Sequence, residues 1–197
     1  MAERLPEETR RQQLVEASFA VACQKGIGGV TVRAVAAEAK VSHALVLFHF
    51  KRKARLIRAL LEWLIQEMAV LHVSEDIAAF PRSMDRLHAL LQQEMARLSH
   101  QPEHTRLFLE FWALGAQHED IRTRIRAELA RYRHAFGGVM EEVLGADTAM
   151  YAGMTATGLS AVAVGWIHGC AVQAMFDPGF DTDEYLAAVR GLIGPLS

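Results

Sequence analysis

The chain has 197 residues, 51% of them hydrophobic, and a formal net charge of −2. That length allows one or two domains, and that apolar share excludes an intrinsically disordered chain. The charge is unevenly spread: residues 1–60 hold 11 Lys and Arg against five acids, a local +6, and the remainder carries −8. A basic head on an acidic body suits a protein that presents one end to an anionic polymer, although chance segregation gives the same pattern. Cys23 and Cys170 stand far apart in apolar helical contexts, with no CxxC, and read as buried free thiols of a reducing compartment. The opening MAERLPEETRRQQ has no apolar signal core, so the expected location is cytoplasmic.

The first helix opens with Pro6 and the Glu7-Glu8 pair, favourable at a helix N-terminus, and runs to about Lys25. Leu14, Ala17 and Val21 recur at helical spacing on its apolar side, and Gly26 is its C′ cap. A second helix, Val32–Ala39, follows Thr31, whose hydroxyl can take an orphan backbone N–H. Alanines 34, 36, 37 and 39 let another helix approach closely. Lys40-Val41-Ser42 forms the turn, with Val41 inward and Ser42 capping a third helix, His43–Phe50. Lys51, Arg52, Lys53 and Arg55 come next, the charge a phosphate backbone needs. Two short helices across a tight turn, with that basic run, predict a helix-turn-helix DNA reader. The fourth helix, Lys53–His72, carries the stripe Leu56, Leu60, Trp63, Leu64, Glu67, Leu71 and joins the two ends of the chain.

Val73–Arg82 is a loop or short turn, and Pro81 precedes a fifth helix, Ser83–Ser99. Gln101-Pro102 breaks the chain before a sixth, Glu103–Gly115, which holds Phe108, Phe111 and Trp112. A seventh runs Glu119–Leu144, with Ile121, Ile125, Leu129, Tyr132, Phe136 and Met140 on its apolar side. Gly145 ends it, and Asp147 is the expected cap of an eighth, Thr148–Phe176. Met150–Phe176 holds 27 residues with no Asp, Glu, Lys or Arg, long enough to span a bilayer. Thr155, Thr157, Ser160, His168, Gln173 and four glycines favour a helix buried in protein instead. Asp177-Pro178-Gly179 turns into a ninth helix, Asp183–Ile193. Period-2 alternation is absent, so the expectation is an all-α protein of about nine helices. It divides into a helix-turn-helix domain, 1–54, and a helical-bundle domain, 55–197.

The stretch TVRAVAAEAKVSHALVLFHFKRKARL resembles the TetR family of bacterial one-component regulators. Thr31, Val35, Ala36, Ala39, Val41, Ser42, His49-Phe50, Lys51, Lys53 and Leu56 fill that family's pattern. Two positions depart from it. Lys40 replaces the turn glycine and has to take a left-handed conformation, costing roughly 1 kcal/mol. Leu45 and Leu47 replace a threonine and a tyrosine, and neither can hydrogen-bond to DNA. The segments TRLFLEFWALGAQHEDIRTRIRAELARYR and GLSAVAVGWIHGCAVQAMFDPGFDTDEYLAAVRGLI resemble the C-terminal domain of choline-responsive betaine-pathway repressors. The resemblance implies a ligand-binding and dimerisation role for residues 55–197. It implies a repressor that binds a near-palindromic double-stranded operator as a homodimer and leaves it when a small molecule binds.

Under that resemblance His43, Ala44, Leu45 and Leu47 face the groove, and His49 and Lys53 stand at phosphate positions. Lys51, Arg52, Thr31, Arg33 and Ser42 complete the expected DNA contacts. Only His43 of the groove-facing set can hydrogen-bond a base edge, so DNA shape is expected to share in specificity. Ala161, Gly165, Gly169 and Val172 are the expected dimer contacts, small residues at one-turn spacing that permit close helix crossing; packing within the monomer is the alternative. Trp63, Glu67, Phe108, Phe111, Trp112, Met154, Trp166 and His168 are the candidate effector contacts, with core packing the plainer reading for each. Aromatics can cage a quaternary ammonium, and an apolar cavity fits an acyl chain or a hydrophobic drug equally well. No nucleotide-loop, nucleophile-elbow or zinc-protease motif is present, so no catalytic residues, metal or cofactor are expected. His100 and His104 have metal-like spacing, but Pro102 separates them. Two other classes remain: a relative of the family that acts through protein contacts, and a helical enzyme or carrier.

Overall fold

The computed structural model describes residues 6–68 and 74–193. Among these residues the regular elements are helical: α1 (Glu7–Lys25), a 3-10 turn (Ile27–Gly29), α2 (Val32–Glu38), α3 (His43–Phe50), α4 (Lys53–Met68), α5 (Glu75–Ala78), α6 (Ser83–His100), α7 (Pro102–Gly115), α8 (Glu119–Ala146), α9 (Ala156–Phe176) and α10 (Thr182–Ile193). The all-α architecture is as the periodicity predicts, with one added turn of helix, α5, inside the expected loop. Residues 69–72 of the expected fourth helix lie outside the described residues. The described residues form two compact units, one of residues 6–68 with 106–125, the other of residues 74–105 with 126–193.

In the first unit α1 packs on α2 and α4, and α3 packs on α2 and α4. The core is the apolar side that spacing selects: Leu14, Ala17 and Val21 of α1, Val35 and Ala36 of α2, Val46 and Phe50 of α3, and Leu56, Leu60 and Leu64 of α4 are all buried. The Arg11 guanidinium lies 4.7 Å from the Phe50 ring centroid, covering the core edge. Local chemistry sets the helix ends. Thr31 Oγ1 accepts the Ala34 N–H at 3.1 Å, and Ser42 Oγ accepts the Leu45 N–H at 3.2 Å. Lys40 takes φ 55°, and the Val41 N–H reaches back to the Ala36 carbonyl at 2.9 Å, a Schellman closure. The residue that lacks glycine's freedom thus sits where glycine is ordinarily found.

In the second unit α6 packs on α9, and α10 lies against both. Leu87, Leu90, Leu91, Met95 and Leu98 of α6 meet a core that includes Phe136, Ala163, Val164, Ile167, Leu186 and Val189. The long uncharged helix begins at Ala156, not Thr148. Asp147 Oδ1 instead accepts the Met150 N–H at 2.9 Å within a turn, Gly153 takes φ +80°, and Thr155 Oγ1 caps α9 through the Gly158 N–H at 3.1 Å. Both residues are good caps, and the left-handed glycine between them decides which one opens the helix. Asp181 Oδ1 accepts the N–H groups of Asp183 and Glu184, each at 2.9 Å, at the start of α10.

Candidate functional site

The outward side of α3 is assembled by what its inward side buries. With Val46 and Phe50 in the core, His43 and Ala44 are exposed, Leu47 is 44% exposed and Phe48 is 62% exposed. Leu45 and His49 are half-buried. Lys51, Arg52 and Lys53 follow, all exposed, as are Thr31 and Arg33 beside α2. The structure therefore gathers the expected DNA-contact residues within one unit and leaves the cations open to solvent. Two features escape the sequence. Phe48 reads as core by residue type, yet it projects outward with the Lys51 ammonium 5.2 Å from its ring centroid. Lys51 has φ 62° at the junction of α3 and α4, a conformation that no local residue signal announces.

The ends of α7 and α8 close the first unit. Glu110 accepts the Ile27 N–H at 2.8 Å and an Arg106 guanidinium nitrogen at 2.5 Å. Arg106 also donates to the Cys23 carbonyl at 3.0 Å. One acid–base pair so satisfies backbone groups on both sides of Gly26, whose φ of 67° and ψ of 172° are essentially restricted to glycine. Arg58 pairs with Asp120 and, chiefly through that hydrogen bond, holds its carboxyl below the usual range. A cavity of about 470 Å³ opens between α4 and the α7–α8 turn, lined by Ile27, Gly28, Lys53, Ala54, Ile57, Arg58, Leu114, His118, Asp120 and Ile121.

The candidate effector residues divide between the units. In the first, Trp63 lies with its ring centroid 5.0 Å from that of Phe19, Phe108 and Trp112 are 5.9 Å apart, Phe111 is fully buried and Glu67 is exposed. In the second, Met154 and Trp166 line a cavity of about 290 Å³ with Leu87, Met140, Val143, Met150, Tyr151, Leu159, Val162, Leu192 and Ile193. His168 belongs to a different feature, a buried polar cluster, with its ring 5.9 Å from Tyr132. There Glu94, with no exposed surface, accepts from Tyr132 Oη at 2.6 Å and from Arg97 Nη2 at 2.6 Å. Burial first, then the Glu94 carboxylate, push the Tyr132 phenol well above its usual range, so it remains a donor. Sequence reasoning missed the acid of this cluster, which stands on α6 between the buried Leu91 and Met95.

Burial lowers the pKa of two histidines in this unit. His168 is lowered by desolvation, against a hydrogen bond with the Val164 backbone. His88, 4% exposed, is lowered by burial and then by Arg190, and its Nε2 has no hydrogen-bond partner. In the unfolded chain both titrate near pH ~6.5. Between the folded and unfolded values the unfolded state binds more protons, so stability rises with pH and falls on acidification. The urea midpoint is expected to drop between pH 7.5 and 5.5, and the double variant His88→Asn, His168→Gln should flatten that slope. A midpoint that holds steady or rises on acidification in the unsubstituted protein would contradict it.

The solvent side of α9 is small and apolar. Ala161 and Gly165 are exposed, Val162 is 44% exposed, and Gly169 and Val172 are half-buried. The two glycines differ in surroundings. A Cβ on Gly165 would meet nothing within 4 Å, whereas one on Gly169 would lie 3.4 Å from Tyr185 Oη, whose hydroxyl donates to the Trp166 carbonyl at 3.0 Å. Gly169 thus already serves packing against α10, and Gly165 is free for another partner. By length and composition α9 is also long and apolar enough to cross a membrane.

Residues 83–196 match the family profile of BetI-type transcriptional repressor C-terminal domains, and residues 14–60 match that of the tetR family of bacterial regulatory proteins. An HTH-type transcriptional regulator BetI of Stenotrophomonas maltophilia is 26% identical over 174 residues, 87% of this chain and 86% of that one. Among solved structures, a transcriptional regulator of Pseudomonas aeruginosa PAO1 superposes with a TM-score of 0.77 at 22% identity, covering 96% of this chain and 90% of that one. Another, from Saccharomonospora viridis in complex with choline, gives 0.70 at 15% identity over 94% and 96% of the two chains. At these identities the structural likeness speaks for the fold alone.

Proposed function

The chain belongs to the TetR family of bacterial transcriptional regulators, with a C-terminal domain of the BetI repressor type, and from there we propose that it is a cytoplasmic repressor which grips a near-palindromic operator as a homodimer and releases it when a small molecule binds. The observation that carries this reading is the outward face of the helix-turn-helix: α3 exposes His43, Ala44, Leu47 and Phe48, and the exposed cations Lys51, Arg52 and Lys53 come directly after it. A recognition helix placed in the major groove needs base-edge contacts in the middle and phosphate neutralisation at its flank. His43 is the hydrogen-bonding group of that face. Leu47 and Phe48 offer apolar surface to thymine methyl groups. Ser42, Thr31 and Arg33 serve phosphates, together with His49 and the basic run.

The dimer forms in this reading through Ala161, Gly165 and the neighbouring exposed surface of α9, which sets two recognition helices one DNA turn apart. The effector site is the cavity of the second unit, where Met154 and Trp166 already meet. Its lining is apolar and aromatic, which suits a small apolar molecule or a quaternary amine held against the Trp166 and Tyr151 rings. The choline complex of the Saccharomonospora regulator supports the second of these chemistries. The effector acts only by binding the DNA-free state more tightly than the bound one.

A gel shift against the gene's own upstream region tests the reading. Retardation at low salt is expected, and none would sink it. Lys53→Ala should then make the log–log salt dependence shallower by about 0.9, the release from one phosphate. An unchanged slope removes Lys53 from the contact surface. The exposed Leu47 and Phe48 favour one second reading, in which α3 docks on a protein partner; that reading holds if the gel shift fails while the folded dimer persists.

A further inference from the structure

The cavity of the first unit is unclaimed by the reading above, and it is chemically two-sided. Ile27 and Ile57 are buried in its floor, 4% and 9% exposed, and Leu114 and Ile121 extend that apolar surface. The polar lining is Lys53, Arg58, His118 and Asp120. The Lys53 ammonium already leans over the opening, donating to the Gly28 carbonyl at 3.3 Å. Arg58 is matched by Asp120, so Lys53 leaves one positive charge uncompensated at the mouth. The first turn of α4 lines the space with no acid in it, so its positive dipole end adds to that sign, whereas Glu119 and Asp120 already meet the dipole of α8. A volume of about 470 Å³ is ample for a small molecule.

We infer that this cleft binds a small amphipathic carboxylate, its alkyl or aromatic part against Ile27, Ile57 and Ile121 and its anionic end on Lys53. Each half of the cleft excludes a simpler occupant. A free phosphate meets the cations but leaves the isoleucine floor wet. A neutral alcohol of equal length fills the floor but leaves the Lys53 charge unanswered. Because Lys53 also stands in the basic run after α3, an occupant here bears on the reading head.

The test uses octanoate as the probe and the full chain labelled at isoleucine δ1 methyls. Octanoate should shift the Ile27, Ile57 and Ile121 methyls saturably. Octanol and inorganic phosphate should each bind there at least tenfold more weakly, and Lys53→Met should weaken octanoate about tenfold. Ile193 lines the cavity of the second unit and therefore reports binding at the wrong place. Three results overturn the inference: octanoate leaves Ile27, Ile57 and Ile121 unmoved, it moves only Ile193, or octanol matches it at the three methyls. None of these depends on DNA binding, so the repressor reading stands or falls separately.

Discussion

Replacing Glu94 with alanine is expected to lower the unfolding free energy by about 3 kcal/mol, read as a drop in urea midpoint at unchanged m-value. Glu94 has no exposed surface, and it is the shared acceptor for Tyr132 Oη and three guanidinium contacts from Arg97. Alanine leaves the phenol and the cation facing an apolar core without that acceptor, and an unsatisfied buried group loses its full solvation. The Arg97 side chain keeps 23% of its surface, so water relieves part of the loss and sets it near the lower end of the range for broken buried pairs. Glu94→Gln retains an acceptor oxygen and should cost less than half as much. The triple change Glu94→Leu, Arg97→Met, Tyr132→Phe removes every orphan at once and should recover most of the stability. A loss below about 1 kcal/mol for Glu94→Ala would mean that the cluster is already hydrated.

The cluster also marks where sequence reasoning stops. Thr31, Ser42 and the basic run could be read directly because capping and phosphate charge are local chemistry, decided within three or four residues. Lys40 was legible for the same reason: a turn position that needs φ > 0 declares itself when glycine is missing. Glu94 was not legible, since its partner Tyr132 is 38 positions away and an acid in a helix defaults to solvent. Lys51 and Phe48 failed differently. Their conformation and exposure follow from how α3 meets α4, and Phe50 two residues later carries the same residue type into the core. The aromatic and methionine candidates for the effector site were found by type alone. The folded chain divides them between two units, and among them only Met154 and Trp166 share a described cavity.

Gly165→Leu should separate folding from assembly, because its expected effects on the two have opposite signs. A Cβ at Gly165 meets nothing within 4 Å, so leucine fits the monomer without strain. Within α9 it also replaces a poor helix former with a good one, a gain of up to about 0.8 kcal/mol. In a dimer built on close crossing at Ala161 and Gly165, the same side chain holds the two helices apart by its own thickness. Overpacking of that kind costs about 1–3 kcal/mol per intruding group, and a two-fold axis makes the change twice. The dimer dissociation constant should therefore rise by roughly 30- to 10⁴-fold. Operator affinity should fall by a factor of 100 or more, because each half-site then has to recruit a head independently. Sedimentation velocity and a gel shift on the same preparation measure both, and a urea midpoint at or above that of the unsubstituted protein confirms that the fold is intact. Gly169→Leu is the contrasting variant, since its Cβ would press on Tyr185 Oη at 3.4 Å and disturb α10 as well. Should Gly165→Leu remain dimeric at the original strength, the symmetry contact lies elsewhere on α9 or α10, and Leu192, 73% exposed, is the next residue to test.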